Sequence, residues 1–141
     1  MIIRSALLIT TLLFCSTPVS HNTPIKIEKA APVKPTEELV YSELRKVGVK
    51  HAKIVLAQSK LETGRYRSRV SHIYHNLFGF RTKKGYIKFT RWEESVAYYK
   101  KWQDKHYKRS KYDSYYDFLL DIGYAEDTLY TQKIKKMVKE S

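Results

Sequence analysis

The sequence predicts an α+β domain that is mainly α-helical and carries one small β-hairpin. Three observations lead there. Apolar side chains recur every three or four residues in five separate stretches, the spacing that lines one face of a helix. All four prolines lie at or before Pro35, so none can interrupt a later helix from within. One stretch breaks the helical period, where β-prone residues flank Lys83-Lys84-Gly85.

Taken in order, Thr36 is placed to cap a first helix carrying Leu39, Val40, Leu44 and Val47, with Gly48 as its stop. A second helix is expected from Val49 to about Thr63. Ile54, Val55, Ala57, Gln58, Leu61 and Glu62 fall on its faces, and Gly64 ends it. His75 to Phe80 is compact and aromatic, and Phe80 to Thr90 reads as the hairpin, turning at Lys83-Lys84-Gly85. Thr90-Arg91-Trp92-Glu93 matches a capping box, and the helix it opens carries Trp92, Val96, Tyr99, Trp102 and His106. A shorter helix around Ser114 to Ile122 ends at Gly123. The last, from about Asp127 to Lys139, is expected to bury Tyr130, Ile134 and Met137. Five short helices and a hairpin enclose a modest core.

The chain ahead of this domain is of another kind. Residues 1–20 read as a secretory signal. Arg4 supplies the positive start, Ala6 to Cys15 is apolar except for Thr10 and Thr11, and small or polar residues follow. The run is shorter than the roughly 20 apolar residues that span a bilayer. Two alternatives stay open: an uncleaved N-terminal anchor, and lipidation at Cys15, which bulky Phe14 opposes. Residues 21–35 hold Pro24, Pro32 and Pro35 and read as an extended linker, which sets the domain at 36–141. Removal of the signal would leave no cysteine, which suits an oxidising compartment. The expectation is an exported monomer in the periplasm, envelope or medium, with no stable membrane insertion after processing.

Composition narrows the function. Hydrophobic residues at 43% and charged residues at 29% exclude wholesale disorder. A single cysteine excludes a disulfide framework and a Cys-based zinc site. Lys and Arg number 27 against 14 Asp and Glu, a net charge of +13, so the partner is expected to be anionic. Twelve tyrosines interleave with these cations. They would stack on bases or on sugar rings equally well. Tyr98, Tyr99, Tyr115 and Tyr116 could as well cover a small core.

Glu62 is the foremost candidate for chemistry. It falls at the C-terminal end of the second helix, where the helix dipole disfavours an ionised carboxylate. Burial acts in the same direction, and both raise a carboxyl pKa as a general acid requires. Arg65, Arg67 and Arg69 would oppose this if they lay close. Between Glu62 and Glu93 there is no Asp or Glu, while eight Lys or Arg occur. A two-carboxylate glycosidase needs its second group roughly 5–9.5 Å from the acid. That partner must come from Glu93, Asp121, Glu126 or Asp127, or be absent. His51, His72 and His75 lack a fourth ligand, so no metal and no cofactor is expected.

Four segments, in order, resemble the glucosaminidase domain of bacterial cell-wall hydrolases, glycoside hydrolase family 73. Ile54 to Gly64 contains Ala57-Gln58-Ser59-Lys60-Leu61-Glu62-Thr63-Gly64, similar to the family's A-Q-x-x-L-E-S/T-G helix. His75-Asn76-Leu77-Phe78-Gly79-Phe80-Arg81 is similar to its N-L-F-G turn, and Trp92-Glu93-Glu94-Ser95-Val96 to a helix start of that family. Gly123-Tyr124-Ala125-Glu126-Asp127 followed by Tyr130 is similar to its G-Y-A-x-D-x-x-Y segment. The resemblance spans about Val49 to Val138.

It implies a lysozyme-like fold with a groove between a helical body and a small β-hairpin lobe. It also implies endo-β-N-acetylglucosaminidase action on peptidoglycan glycan strands. Glu62 stands at the family's catalytic acid and Tyr124 at a groove tyrosine. Gln58, Asn76, Phe78 and Tyr130 fall on motif positions expected to serve substrate binding. This β-lobe has no carboxylate, unlike many members, which favours attack by the substrate's own N-acetyl group or by a water held by Tyr124. The basic surface is then expected to meet anionic wall groups rather than nucleic acid, which export disfavours. The competing reading is a non-catalytic module of the same fold that binds wall glycan.

Overall fold

The computed structural model describes residues 33–124 and 129–141. The expected signal, nearly all of the linker, and Glu126 and Asp127 lie outside the described residues. The described chain forms α1 (Glu37–Lys46), α2 (Ala52–Glu62), α3 (Arg69–Tyr74), β1 (Arg81–Thr82), β2 (Gly85–Tyr86), α4 (Trp92–His106), α5 (Tyr115–Asp121) and α6 (Tyr130–Lys139). A 3-10 turn at Arg109–Lys111 joins α4 to α5. The fold is mainly helical α+β, as the sequence predicts.

Thr36 caps α1 by accepting a hydrogen bond from the Leu39 N–H at 3.3 Å. Val40 and Leu44, one turn apart, are fully buried, but Leu39 is 40% exposed. It sits one position off the stripe that Val40 and Leu44 define, so the helix turns it toward water. α2 begins three residues later than expected. Gly48 and His51 hold left-handed backbone, at φ 75° and 57°, and break the chain into a turn before Ala52. From Val55 to Lys60 every α2 residue is buried. Lys60, 3% exposed, sends its ammonium 2.7 Å to the Glu37 carboxylate and so ties α2 to α1.

Helix α3 was not legible as a helix. It is six residues long, too short for a periodic signal, and is started by Ser68, whose side chain accepts from the Ser71 N–H. In the hairpin Arg81 pairs with Tyr86 and Thr82 with Gly85. The turn is therefore Lys83-Lys84 alone, and Gly85 opens β2 at φ 115°. The expected capping box at Thr90 does not form. Arg91 is the cap residue and holds the Glu93 carboxylate at 2.6 Å, while Glu94 reaches back to accept from the Thr90 N–H at 3.0 Å. Trp92, Val96 and Tyr99 are buried along α4 and Trp102 is half-buried, whereas His106 is exposed. At α5 the Ser114 and Asp117 side chains cap each other's backbone reciprocally. On α6 Tyr130 and Ile134 are buried and Met137 half-buried.

The main core gathers Val40, Leu44, Val55, Leu77, Val96, Tyr99 and Phe118 between α1, α2, α4 and α5. A smaller cluster of Ala57, Tyr130 and Ile134 clasps α6 to α2. Among the described residues no helix is long and apolar enough to cross a membrane.

Candidate active site

Helix α2 ends on Glu62, and the turn after it is unusual. Gly64, Arg65 and Tyr66 are all left-handed, at φ 55°, 57° and 63°. Such backbone costs a non-glycine residue roughly 1–2 kcal/mol. Local bonds hold it. The Thr63 hydroxyl donates to the Ser59 carbonyl at 2.6 Å and accepts from the Tyr66 N–H at 2.9 Å, and the Tyr66 hydroxyl meets Ser59 Oγ at 2.9 Å. The helix end that carries Glu62 is thus pinned from behind.

The opposite wall comes from the 76–80 turn. Asn76, fully buried, donates from Nδ2 to the carbonyls of Phe80 (2.9 Å) and Ile87 (3.0 Å). Its Oδ1 accepts from the N–H groups of Phe78 (3.4 Å) and Phe80 (3.1 Å). These bonds fold the turn onto the hairpin and put Gly79 directly against the acid. A Cβ at Gly79, where φ is 67°, would stand 3.2 Å from Glu62 Oε2. Only a glycine allows that approach without strain.

Between the two walls lies a cleft of about 280 Å³, lined by Glu62, Phe78, Gly79, Phe80, Arg81, Trp102, Ile122 and Tyr124. Tyr124 donates from its hydroxyl to the Phe78 carbonyl at 3.1 Å, stacks on Tyr130 at 5.7 Å, and meets the Trp102 ring edge-on at 5.5 Å. Burial pushes the Glu62 carboxyl above the usual carboxylate range, and a hydrogen bond from Tyr130 pulls it partly back. Burial also pushes the Tyr124 and Tyr130 hydroxyls up, so both stay protonated donors.

Glu62, Phe78 and Tyr124 therefore meet at one cleft. Tyr130 stands behind it, stacked on Tyr124 and hydrogen-bonded by the Gln58 amide at 3.2 Å. Gln58 and Asn76 do not fit the expectation of substrate contact, because both are fully buried and their amides are committed to protein partners. Among the described residues Glu62 is the one carboxylate that lines the cleft. Glu93 is held by Arg91, and Asp121 by Lys111 and Tyr112. Among the described residues no group of three or more His, Cys, Asp or Glu is placed to hold a metal. Sequence reasoning passed over Gly79, Arg81 and the open face of Trp102. The glycine lay inside a recognised motif, and its role depends on a contact seventeen residues away in the chain.

The pinned helix-end carboxyl of Glu62, its pKa raised by burial, faces an aromatic cleft in a mainly helical domain. The model of the glucosaminidase family, described as mannosyl-glycoprotein endo-beta-N-acetylglucosaminidase, matches residues 37–141, and the chain belongs to that family. Its fold is similar to that of the catalytic domain of the autolysin Auto from Listeria monocytogenes, seen in a crystal structure. The TM-score is 0.59 at 20% identity, over 79% of this chain and 88% of that one. At that identity the likeness shows the fold alone. No curated protein matches the chain.

Proposed function

We propose that the domain is an exported peptidoglycan hydrolase, an endo-β-N-acetylglucosaminidase with Glu62 as general acid. The observation that carries this is the Glu62 carboxyl, half-buried with a raised pKa on the wall of an aromatic cleft. Family membership and the autolysin likeness support the substrate class. Protonated Glu62 gives its proton to the glycosidic oxygen as the C1–O bond breaks. The substrate's own N-acetyl oxygen then bonds to C1, and water opens that ring while Glu62 takes back a proton. This route needs one protein carboxylate, which matches the described part of the cleft. Tyr124 steadies the reacting sugar, while the half-exposed faces of Phe80 and Trp102 offer stacking surfaces. Arg81, exposed at the rim, faces the anionic groups of the wall.

The test is mass spectrometry of peptidoglycan digested by the purified protein. Products ending in reducing N-acetylglucosamine are expected, and their absence with Glu62 intact would overturn the reading. The want of a second cleft carboxylate among the described residues favours one alternative, a wall-binding module without activity. Retained wall binding with no release of soluble fragments would establish it. Export is checked by N-terminal sequencing, which should find a start between about residues 16 and 24, as signal removal requires.

A further inference from the structure

A line of buried side chains runs beside α2 from its first turn to its last. Gln103 of α4 exchanges two bonds with the Lys50 backbone. Its Oε1 accepts from the Lys50 N–H at 2.7 Å, and its Nε2 donates to the Lys50 carbonyl at 2.9 Å. A backbone N–H can only donate and a carbonyl only accept, so this exchange fixes which end of the amide is oxygen. The second Nε2 proton goes to the Tyr115 hydroxyl at 2.9 Å. Tyr115 and Tyr99 hydroxyls lie 2.7 Å apart, and Tyr99 donates to Gln58 Oε1 at 2.7 Å. Tyr99 has one hydroxyl proton and it is committed, so Tyr115 is the donor between them. Gln58 Nε2 then donates to Tyr130 at 3.2 Å, which leaves the Tyr130 proton for the Glu62 carboxyl.

Every donor in this line points toward Glu62. Gln58, Tyr99, Gln103 and Tyr115 are each at most 1% exposed, so no water competes for these bonds. Satisfying buried groups requires partners, but it does not require one common direction. A common direction has a consequence, because aligned bonds in a low-dielectric interior polarise one another. Gln103 can only donate to Tyr115, so reversal would leave the Tyr115 hydroxyl proton without an acceptor among the described residues. A Glu62 proton on the oxygen that faces Tyr130 would therefore set donor against donor.

We propose that Gln103, Tyr115, Tyr99 and Gln58 are positioning residues that, through Tyr130, hold one Glu62 oxygen as a permanent acceptor and keep the acid's proton on the other. This rests on the reading of Glu62 as the general acid and adds how its proton is aimed. The other groups that face Glu62 across the cleft are Arg81 and Tyr124, and neither belongs to the line.

The experiment follows the Glu62 carboxyl by carbon-13 NMR titration in the full chain, beside pH profiles of kcat and kcat/KM on wall glycan. Tyr99→Phe cuts the line, frees Gln58 to turn, and lets Tyr130 accept from a neutral Glu62. The titration and the alkaline limb of the profile should both move to higher pH, with kcat lowered and KM held. Tyr115→Phe, one link further away, should do the same by less. Tyr107→Phe is the control, since it removes a buried tyrosine's hydrogen bond to His51, at the opposite end of α2 from Glu62 and not in the line. It should lower Tm and leave the Glu62 titration where it was. Folded Tyr99→Phe and Tyr115→Phe proteins that lose Tm but titrate Glu62 as the wild type does would overturn the proposal. Full activity in Glu62→Gln would instead remove the functional reading, and the NMR titration would still decide whether the line acts on the carboxyl.

Discussion

Helices α1 and α2 are consecutive and of ten and eleven residues, yet they arrange charge in opposite ways. α1 has Glu37 and Glu38 in its first turn and Arg45 and Lys46 in its last, the order that the helix dipole favours. α2 has no acid in its first turn and no capping side chain at His51. Lys50 and Lys53 stand at its positive end, and its last residue is Glu62. Each such misplaced charge costs about 0.3–1 kcal/mol when exposed. The basic residue in its last turn, Lys60, is turned away to Glu37 of α1. What holds α2 is burial, an unbroken stretch from Val55 to Lys60 where α1 buries only Val40 and Leu44. A deeply packed helix tolerates poor ends, and that tolerance lets a carboxyl stand at a helix terminus where burial raises its pKa. Cavity size would mislead here. A cavity of about 530 Å³ opens at the cationic start of α2, whereas Glu62 lines one of about 280 Å³.

The most severe test of this contrast is Glu62→Gln. Wall digestion should fall by about 10²–10⁴, the usual worth of general acid catalysis. Stability should not fall with it. Because folding raises the Glu62 pKa, this group favours the folded state below its unfolded pKa and loses that contribution as pH rises through the folded value. The variant's Tm should therefore match or exceed the wild type at neutral pH, and the difference should shift in favour of the wild type on acidification through the Glu62 titration. A large Tm loss in Glu62→Gln at neutral pH would refute the idea of a misplaced acid.

Next comes the link between the helices. Glu37→Ala strands the buried Lys60 ammonium, leaving Ser141 Oγ at 3.3 Å as its side-chain partner among the described residues. Chemical denaturation should show a loss of about 1–3 kcal/mol. Lys60→Met should cost less, because Glu37, with its side chain 37% exposed, keeps Arg65 at 3.4 Å and turns to water. Equal losses would mean that the pair does not act as the strut for α2.

Gly79→Ala probes the other wall of the cleft. Left-handed backbone should cost about 1–2 kcal/mol in stability. The new methyl, 3.2 Å from Glu62 Oε2, should lower kcat more than that loss explains. The smallest effect is at the other end of α2. Lys53→Glu should raise stability by about 0.3–1 kcal/mol by restoring an acid to the first turn. It should leave the Glu62 titration unmoved.

Much of the site was legible because its signals are local. Glu62 stood out from its place at a helix end, and Gln58, Asn76, Phe78, Tyr124 and Tyr130 from the family resemblance, and all lie at or directly behind the cleft. What was misread is which of them faces it. Asn76 and Gln58 look like polar residues available to a sugar, and each is consumed inside the protein. Gln103 and Tyr115 drew no attention as chemistry, because a buried amide and a buried phenol look alike in sequence whether they serve the core or the acid.

By itself, the sequence determined what depends on near neighbours in the chain. Helical period set α1, α2, α4 and α6, the Ser114 cap and Gly123 bounded α5, and Lys83-Lys84 turned the hairpin. Tertiary structure alone decided the rest, since it depends on atoms far apart in the chain. The Gln58 amide takes its two ends from Tyr99 and Tyr130, which are 41 and 72 residues away. The Glu62 pKa is raised by packing that no segment can supply alone, and Gly79 earns its place only when a distant carboxylate arrives beside it. Burial and hydrogen-bond direction are properties of that assembled interior, so no local pattern of residues encodes them.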